Sequence, residues 1–179
     1  MNHYAYAFRC EQRDNETFFK FLKFPEIISS LSTTKFRSFA PEERIGYATD
    51  AVLTALQLNI ASKADIPGGD RLSFLKAGQY VALSVTQAMK LELYRVYLGS
   101  GCRSVSEFAR SNIGKSETLV RRLLDLRHSS QPKEIEEVLC VVGKRLVHNW
   151  DLEDLPIQSV PKRNIRSRPN KGLARQISL

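Results

Sequence analysis

Apolar and polar positions follow two different periods along this chain, and the change from one to the other falls near residue 85. In the first stretch, Tyr4-Ala5-Tyr6-Ala7-Phe8 alternates as a strand does, Asp14-Asn15-Glu16 is turn-forming, and Thr17-Phe18-Phe19-Lys20-Phe21-Leu22-Lys23-Phe24 reads as a second strand stopped by Pro25. These two strands predict a hairpin. A third short strand is expected after Ile27, through Leu31 to Phe36, within a hydroxyl-rich run. Ala40-Pro41-Glu42-Glu43-Arg44 then opens a helix, with Pro in the first turn and acids at the positive end of the dipole. Ile45, Ala48, Val52, Ala55 and Leu56 continue it at spacings of three and four, as far as Ala61 or Lys63. Ile66-Pro67-Gly68-Gly69-Asp70 ends it, and Gln79 to Val85 predicts a returning strand. The expectation is an α+β domain over residues 1–83.

From Thr86, expected as a helix cap, the period is helical: Ala88, Met89, Leu91, Leu93, Tyr94, Tyr97 and Leu98 run to Gly99. Val105, Phe108 and Ala109 suit a second helix of about two turns, Ser111-Asn112-Ile113-Gly114 interrupts it, and Ser116 can cap a third carrying Leu119, Val120, Leu123 and Leu124. Pro132 opens a last helix with Ile135, Val138, Leu139 and Val142 on its inner face and Gly143 as its stop. Residues 84–150 are therefore expected to be an all-helical domain containing a helix-turn-helix pair. Ala109 and Gly114 suit a close approach of the paired helices. The outer face of the second would offer Lys115, Ser116, Glu117, Thr118, Arg121, Arg122 and Asp125, with Arg127 and His128 just beyond. Such a face suits phosphates and base edges, but a solvated basic helix on a helical core has the same local pattern.

Charge separates these two readings in part. The chain has 179 residues and a net charge of +8. Residues 1–85 hold ten Lys/Arg against nine Asp/Glu, residues 103–131 hold six against three, and 156–179 hold six basic residues and no acid. The excess lies in the second half, where nucleic acid would use it, although an acidic protein partner would too. The segment 151–179 is expected to be a basic, flexible tail, and Trp150 to anchor the end of the folded part. Cys10, Cys102 and Cys140 are far apart and odd in number, which suits reduced thiols in a cytoplasmic protein. Neither a signal peptide nor a membrane-spanning run is expected.

Catalytic chemistry has little support. His3, His128 and His148 are dispersed and lack the Cys spacing of a zinc site. Gly68-Gly69 follows a proline as a turn rather than a phosphate loop. Asp14, Asp50, Asp65 and Asp70 do not fall on adjacent strands as two-metal chemistry requires. The expectation is no cofactor, no metal and no enzyme. Phe18, Phe19, Phe21 and Phe24 are the aromatic residues that suggest a protein-binding surface. Alternation puts Phe19 and Phe21 on one face and Phe18 and Phe24 on the other. One set then covers the helix, and the other is left to stack RNA bases or, the preferred reading, to meet a protein partner. A strand buried on both sides or at a dimer contact has the same pattern.

The stretches VALSVTQAMKLELYRVYLGSG and VRRLLDLRHSSQPKEIEEVLCVVGKRL resemble the second half of antitoxins of the HicB family in its helix-turn-helix form. Phe24-Pro25-Glu26-Ile27 resembles that family's strand end, Ala48 to Leu56 its long helix, and Ala64-Asp65-Ile66-Pro67 its closing turn. The likeness is close over residues 79–146 and looser over 4–78. The turn departs from the family spacing: Ala109 to Gly114 is five positions rather than four. The resemblance implies a truncated RNase H-like amino-terminal domain without nuclease chemistry, which binds a HicA-like mRNA-interfering toxin. It also implies a second domain that represses the operon by binding double-stranded operator DNA, as a homodimer or homotetramer. A HicB-like transcriptional regulator without a cognate toxin is the alternative.

Overall fold

The structure is a computed structural model describing residues 4–70, 76 and 79–144. The expectations for Trp150 and for the tail 151–179 lie outside the described residues. Strand β1, Ala5–Arg13, turns at Asp14 into β2, Glu16–Phe21. Asp14 takes a left-handed backbone (φ 52°), which Asp tolerates better than most residues. β3, Ser29–Ser32, pairs with the far side of β2. After α1, Thr33–Ser38, and α2, Pro41–Ser62, the chain returns as β4, Tyr80–Ala82. The four strands are ordered β3-β2-β1-β4, and every neighbouring pair is antiparallel.

The long β1 shares its length between two partners. Its second half, from Phe8, pairs with β2, and its first half, Ala5–Ala7, pairs with β4. Beyond the end of β2, Asp70 takes the place of a strand: its N–H donates to Ala5 O at 2.8 Å, and its carboxylate accepts the Ala7 N–H at 2.8 Å. Asp70 is buried because it completes these backbone pairings, where the sequence suggested only a turn residue.

Several element boundaries differ from expectation: β1 runs on to Arg13 rather than ending at Phe8, and β4 covers Tyr80–Ala82 rather than Gln79 to Val85. β3 stops at Ser32, whose hydroxyl accepts the Lys35 N–H and so starts α1; Phe36 is consequently on a helix and meets Phe19 edge-on at 5.8 Å. β2 ends at Phe21, with Phe24 in the loop that follows. The helix after β4 is capped by Ser84, reciprocally with Gln87, rather than by Thr86.

α2 covers the sheet with Ala48, Val52, Leu56 and Ile60. The helices after β4 are α3, Val85–Gly99; α4, Val105–Phe108; a π-helical turn, Ala109–Ile113; α5, Glu117–Leu124; and α6, Pro132–Val141. The apolar core is continuous from Tyr6 and Phe19 in the sheet to Tyr94, Leu123 and Ile135 in the helices. At the seam, the Tyr94 hydroxyl donates to the carbonyls of Asn59 (3.1 Å) and Ala64 (2.8 Å), fixing α3 to the end of α2.

Candidate nucleic-acid interface

Ser104 begins the helix pair by accepting the Glu107 N–H, and Glu107 returns the bond through the Arg103 N–H. Phe108 and Ala109 are fully buried, with the Phe108 ring 5.2 Å from that of Tyr97 on α3. The extra residue of the turn is absorbed in the helix. Ala109 O accepts the N–H groups of both Gly114 and Lys115, so the last turn widens to π geometry and takes one residue more than an α turn.

Gly114 has φ 68°, and a Cβ added there would meet nothing within 4 Å. The expectation of close approach at Gly114 is therefore corrected: glycine serves the left-handed backbone, which redirects the chain. Ser116 then caps α5 by accepting the Leu119 N–H. Val120, Leu123 and Leu124 face inward, while Lys115, Ser116, Thr118, Arg121 and Arg122 are exposed and Glu117 is half-buried. These six share the outer surface of α5, while Asp125 at its end is half-buried.

The two arginines lean to opposite sides. Arg121 pairs with Glu117 at 2.6 Å, one turn back, and holds that carboxyl below the usual carboxylate range. Arg122 reaches Glu134 on α6 at 3.6 Å. Both pairs are exposed, a setting in which ion pairs contribute little and exchange readily for another anion. Arg127 turns away from α5. Its guanidinium meets Asp50 Oδ1 at 3.3 Å and the Thr54 hydroxyl at 2.9 Å, both on α2.

The segment after α5 is anchored from two helices. Gln57 on α2 accepts the Leu126 N–H at 3.1 Å. Lys90 on α3 is fully buried, and its ammonium donates to the carbonyls of Asp125 and His128, each at 2.6 Å. A cation on these carbonyls also suits the negative end of the α5 dipole. Burial pushes the Lys90 ammonium below its ordinary range, opposed by Asp125 and Glu134. Lys90 sits between Met89 and Leu91, so periodicity marked it only as a polar position.

On the sheet side, the four phenylalanines divide differently from expectation. Phe19, Phe21 and Phe24 are 0%, 3% and 1% exposed, core side chains without surface to offer a partner. Phe24 leaves the face shared with Phe18 because β2 has ended before it, and its ring packs on Tyr6 at 5.1 Å. Phe18 is half-buried on the outer face. There it joins Arg9, Lys20, Leu22 and Ile28 around a cleft of about 410 Å³. Ile28 (83%) and Leu22 (44%) are unusually exposed for their size. Among the described residues no three His, Cys, Asp or Glu side chains gather as a metal-binding group, and no helix is long and apolar enough to cross a membrane.

No family model matches the chain. It is 27% identical over 144 residues to the antitoxin HicB of Pseudomonas fluorescens, covering 80% of this chain and 92% of that protein. Antitoxin HicB 1 of Photorhabdus laumondii is 28% identical over 126 residues, covering 70% and 75% respectively. These matches establish distant homology to HicB antitoxins.

Proposed function

We propose that the chain is an antitoxin of HicB type, whose sheet half, residues 1–83, binds and masks a small HicA-like ribonuclease toxin. Its helical half, residues 84–150, binds operator DNA and represses the operon. It has no catalytic role of its own and works as a homodimer or homotetramer in the cytoplasm. The truncated RNase H-like description of the sheet half is part of this reading, supported by three antiparallel strands, a covering helix and a fourth strand beside the first.

One observation carries the DNA reading. α5 is clamped at its far end by Lys90 and Gln57, yet leaves Lys115, Thr118 and Arg122 exposed on one outer surface. A helix offered to the major groove needs a fixed axis behind it and, in front, exposed polar side chains that are unpaired or only loosely paired, as Arg122 is with Glu134. Phe18, Leu22 and Ile28 support protein contact on the sheet, since apolar groups beside charged Arg9 and Lys20 make a surface of interface type.

Substitution on α5 tests the reading. Arg122→Ala and Thr118→Ala are each expected to weaken binding to the chain's own operator by about 1–3 kcal/mol where they read a base, with a much smaller effect on a scrambled duplex. Fluorescence anisotropy with both duplexes measures the difference. Equal losses on the two duplexes would contradict a base-reading role for α5.

A further inference from the structure

A second basic feature lies between the two halves of the molecule, on the Arg121 side of α5. A cleft of about 370 Å³ is lined by Lys63 at the end of α2, Arg103 and Ser104 before α4, Tyr97 of α3, and Arg121 of α5. Three of its lining residues are cationic and none is acidic. We propose that this cleft takes a phosphodiester group of the DNA backbone. The proposal rests on the reading of α5 as the DNA-facing helix and adds Lys63 and Arg103 to the interface.

The state of each cation supports the assignment. The Arg103 guanidinium has no hydrogen bond or ion pair among the described residues. The Lys63 ammonium is held by neutral groups: it donates to the carbonyls of Arg103 and, at 3.5 Å, Cys102, and stands 5.4 Å from the centre of the Tyr97 ring. These contacts fix its place without cancelling its charge. Arg121 gives Nε and Nη2 to the same Glu117 oxygen, which leaves Nη1 as a further donor. Glu107 and Glu117 are the nearby acids, but Glu107 accepts the Arg103 N–H and Glu117 accepts Arg121, and neither lines the cleft.

A tetrahedral anion with several acceptor oxygens is the ligand that such convergent donors suit. DNA is favoured over a free anion because Arg121 belongs both to the cleft and to the exposed surface of α5. Contacts to phosphate fix how a helix lies in the groove without reading sequence. Lys63 gives this contact a further consequence: it ties the pose of α5 on DNA to the end of the sheet-covering helix.

The test uses the full chain and the variants Lys63→Gln, Arg103→Gln and Arg103→Lys, with thermal melts confirming that each folds. Lys63→Gln and Arg103→Gln are each expected to weaken binding roughly fivefold to tenfold near about 0.1 M salt, alike on operator and scrambled duplexes. Each should also make the slope of log K against log salt shallower by about 1. Arg103→Lys should restore most of the slope. Lys35→Gln, a cation on α1, should leave both slopes unchanged. Unchanged slopes in the two glutamine variants would overturn the proposal. So would inorganic phosphate raising the melting temperature in a Lys63- and Arg103-dependent way while the DNA slopes stay unchanged, since the cleft would then serve a free anion. If the unaltered chain fails to select its operator, the base-reading role of α5 falls; the salt slopes still decide the cleft, because they are measured on any duplex.

Discussion

Replacing Phe19 with alanine is expected to destabilise the protein by about 3–5 kcal/mol, whereas Phe18→Ala should cost less than about 1 kcal/mol and impair partner binding instead. The two residues are neighbours in sequence and identical in chemistry. Phe19 is wholly buried, with the rings of Phe8, Phe36 and Tyr47 at 5.7, 5.8 and 5.1 Å, so truncation removes ring contacts from three directions and leaves a cavity in a well-packed site. Phe18 points to the other side, where its ring covers part of the cleft shared with Leu22 and Ile28. Urea unfolding measures the first effect. Retention of the co-expressed toxin by a tagged chain measures the second. A stability loss at Phe18 as large as that at Phe19 would contradict an outer-face role for Phe18.

Lys90→Ala is the second large effect expected, about 2–4 kcal/mol of stability together with loss of operator selectivity. The substitution removes two short charge-assisted hydrogen bonds, from the carbonyl of His128 and from that of Asp125, which keeps only the His128 N–H at 3.2 Å, at the point where α5 gives way to the path toward α6. Lys90→Met keeps most of the volume and should recover part of the stability but not the selectivity, because the anchor itself is absent. This variant also carries a pH signature. The folded lysine has a lowered pKa. Between that value and about 10.4, the unfolded chain therefore binds more protons, and this group makes stability rise with pH across the window. Lys90→Met should remove that contribution, seen as a smaller rise in unfolding free energy as pH increases toward about 10.4. An unchanged pH dependence would mean that the lysine is not held as described.

Much of this organisation was legible in the residues, for a physical reason. Periodicity reports which face of a regular element is apolar, so the hairpin, α2, α3 and the pair around Gly114 emerge directly from it. The outer face of α5 was legible to the same extent: Lys115, Thr118 and Arg122 lie opposite Val120, Leu123 and Leu124, which define the inner face of the helix. Periodicity does not report what happens where an element ends. It assigned Phe24 to the face of Phe18, but β2 stops at Phe21 and the loop turns Phe24 inward. It extended a strand through Phe36, although the Ser32 cap starts a helix there. Nor does it report long-range polar anchors. Asp70 replacing a strand, Lys90 beneath α5 and Arg127 drawn to Asp50 each depend on pairings across 35 or more residues, which no local window contains. The longer turn was visible as a count, and only the bifurcated bond at Ala109 O gives its cause.

In the proposed function α5 reads DNA sequence and the remaining basic charge only assists. The most direct test is a titration of the full chain against its own upstream duplex and a scrambled duplex of equal length, at about 0.1 M and about 0.3 M salt. The expected result is a preference for the upstream duplex that persists at the higher salt while both affinities fall, since phosphate contacts weaken with salt and base contacts do not. Equal binding to the two duplexes, vanishing together as salt rises, would contradict it and leave the helix pair as a packed core beneath a basic surface.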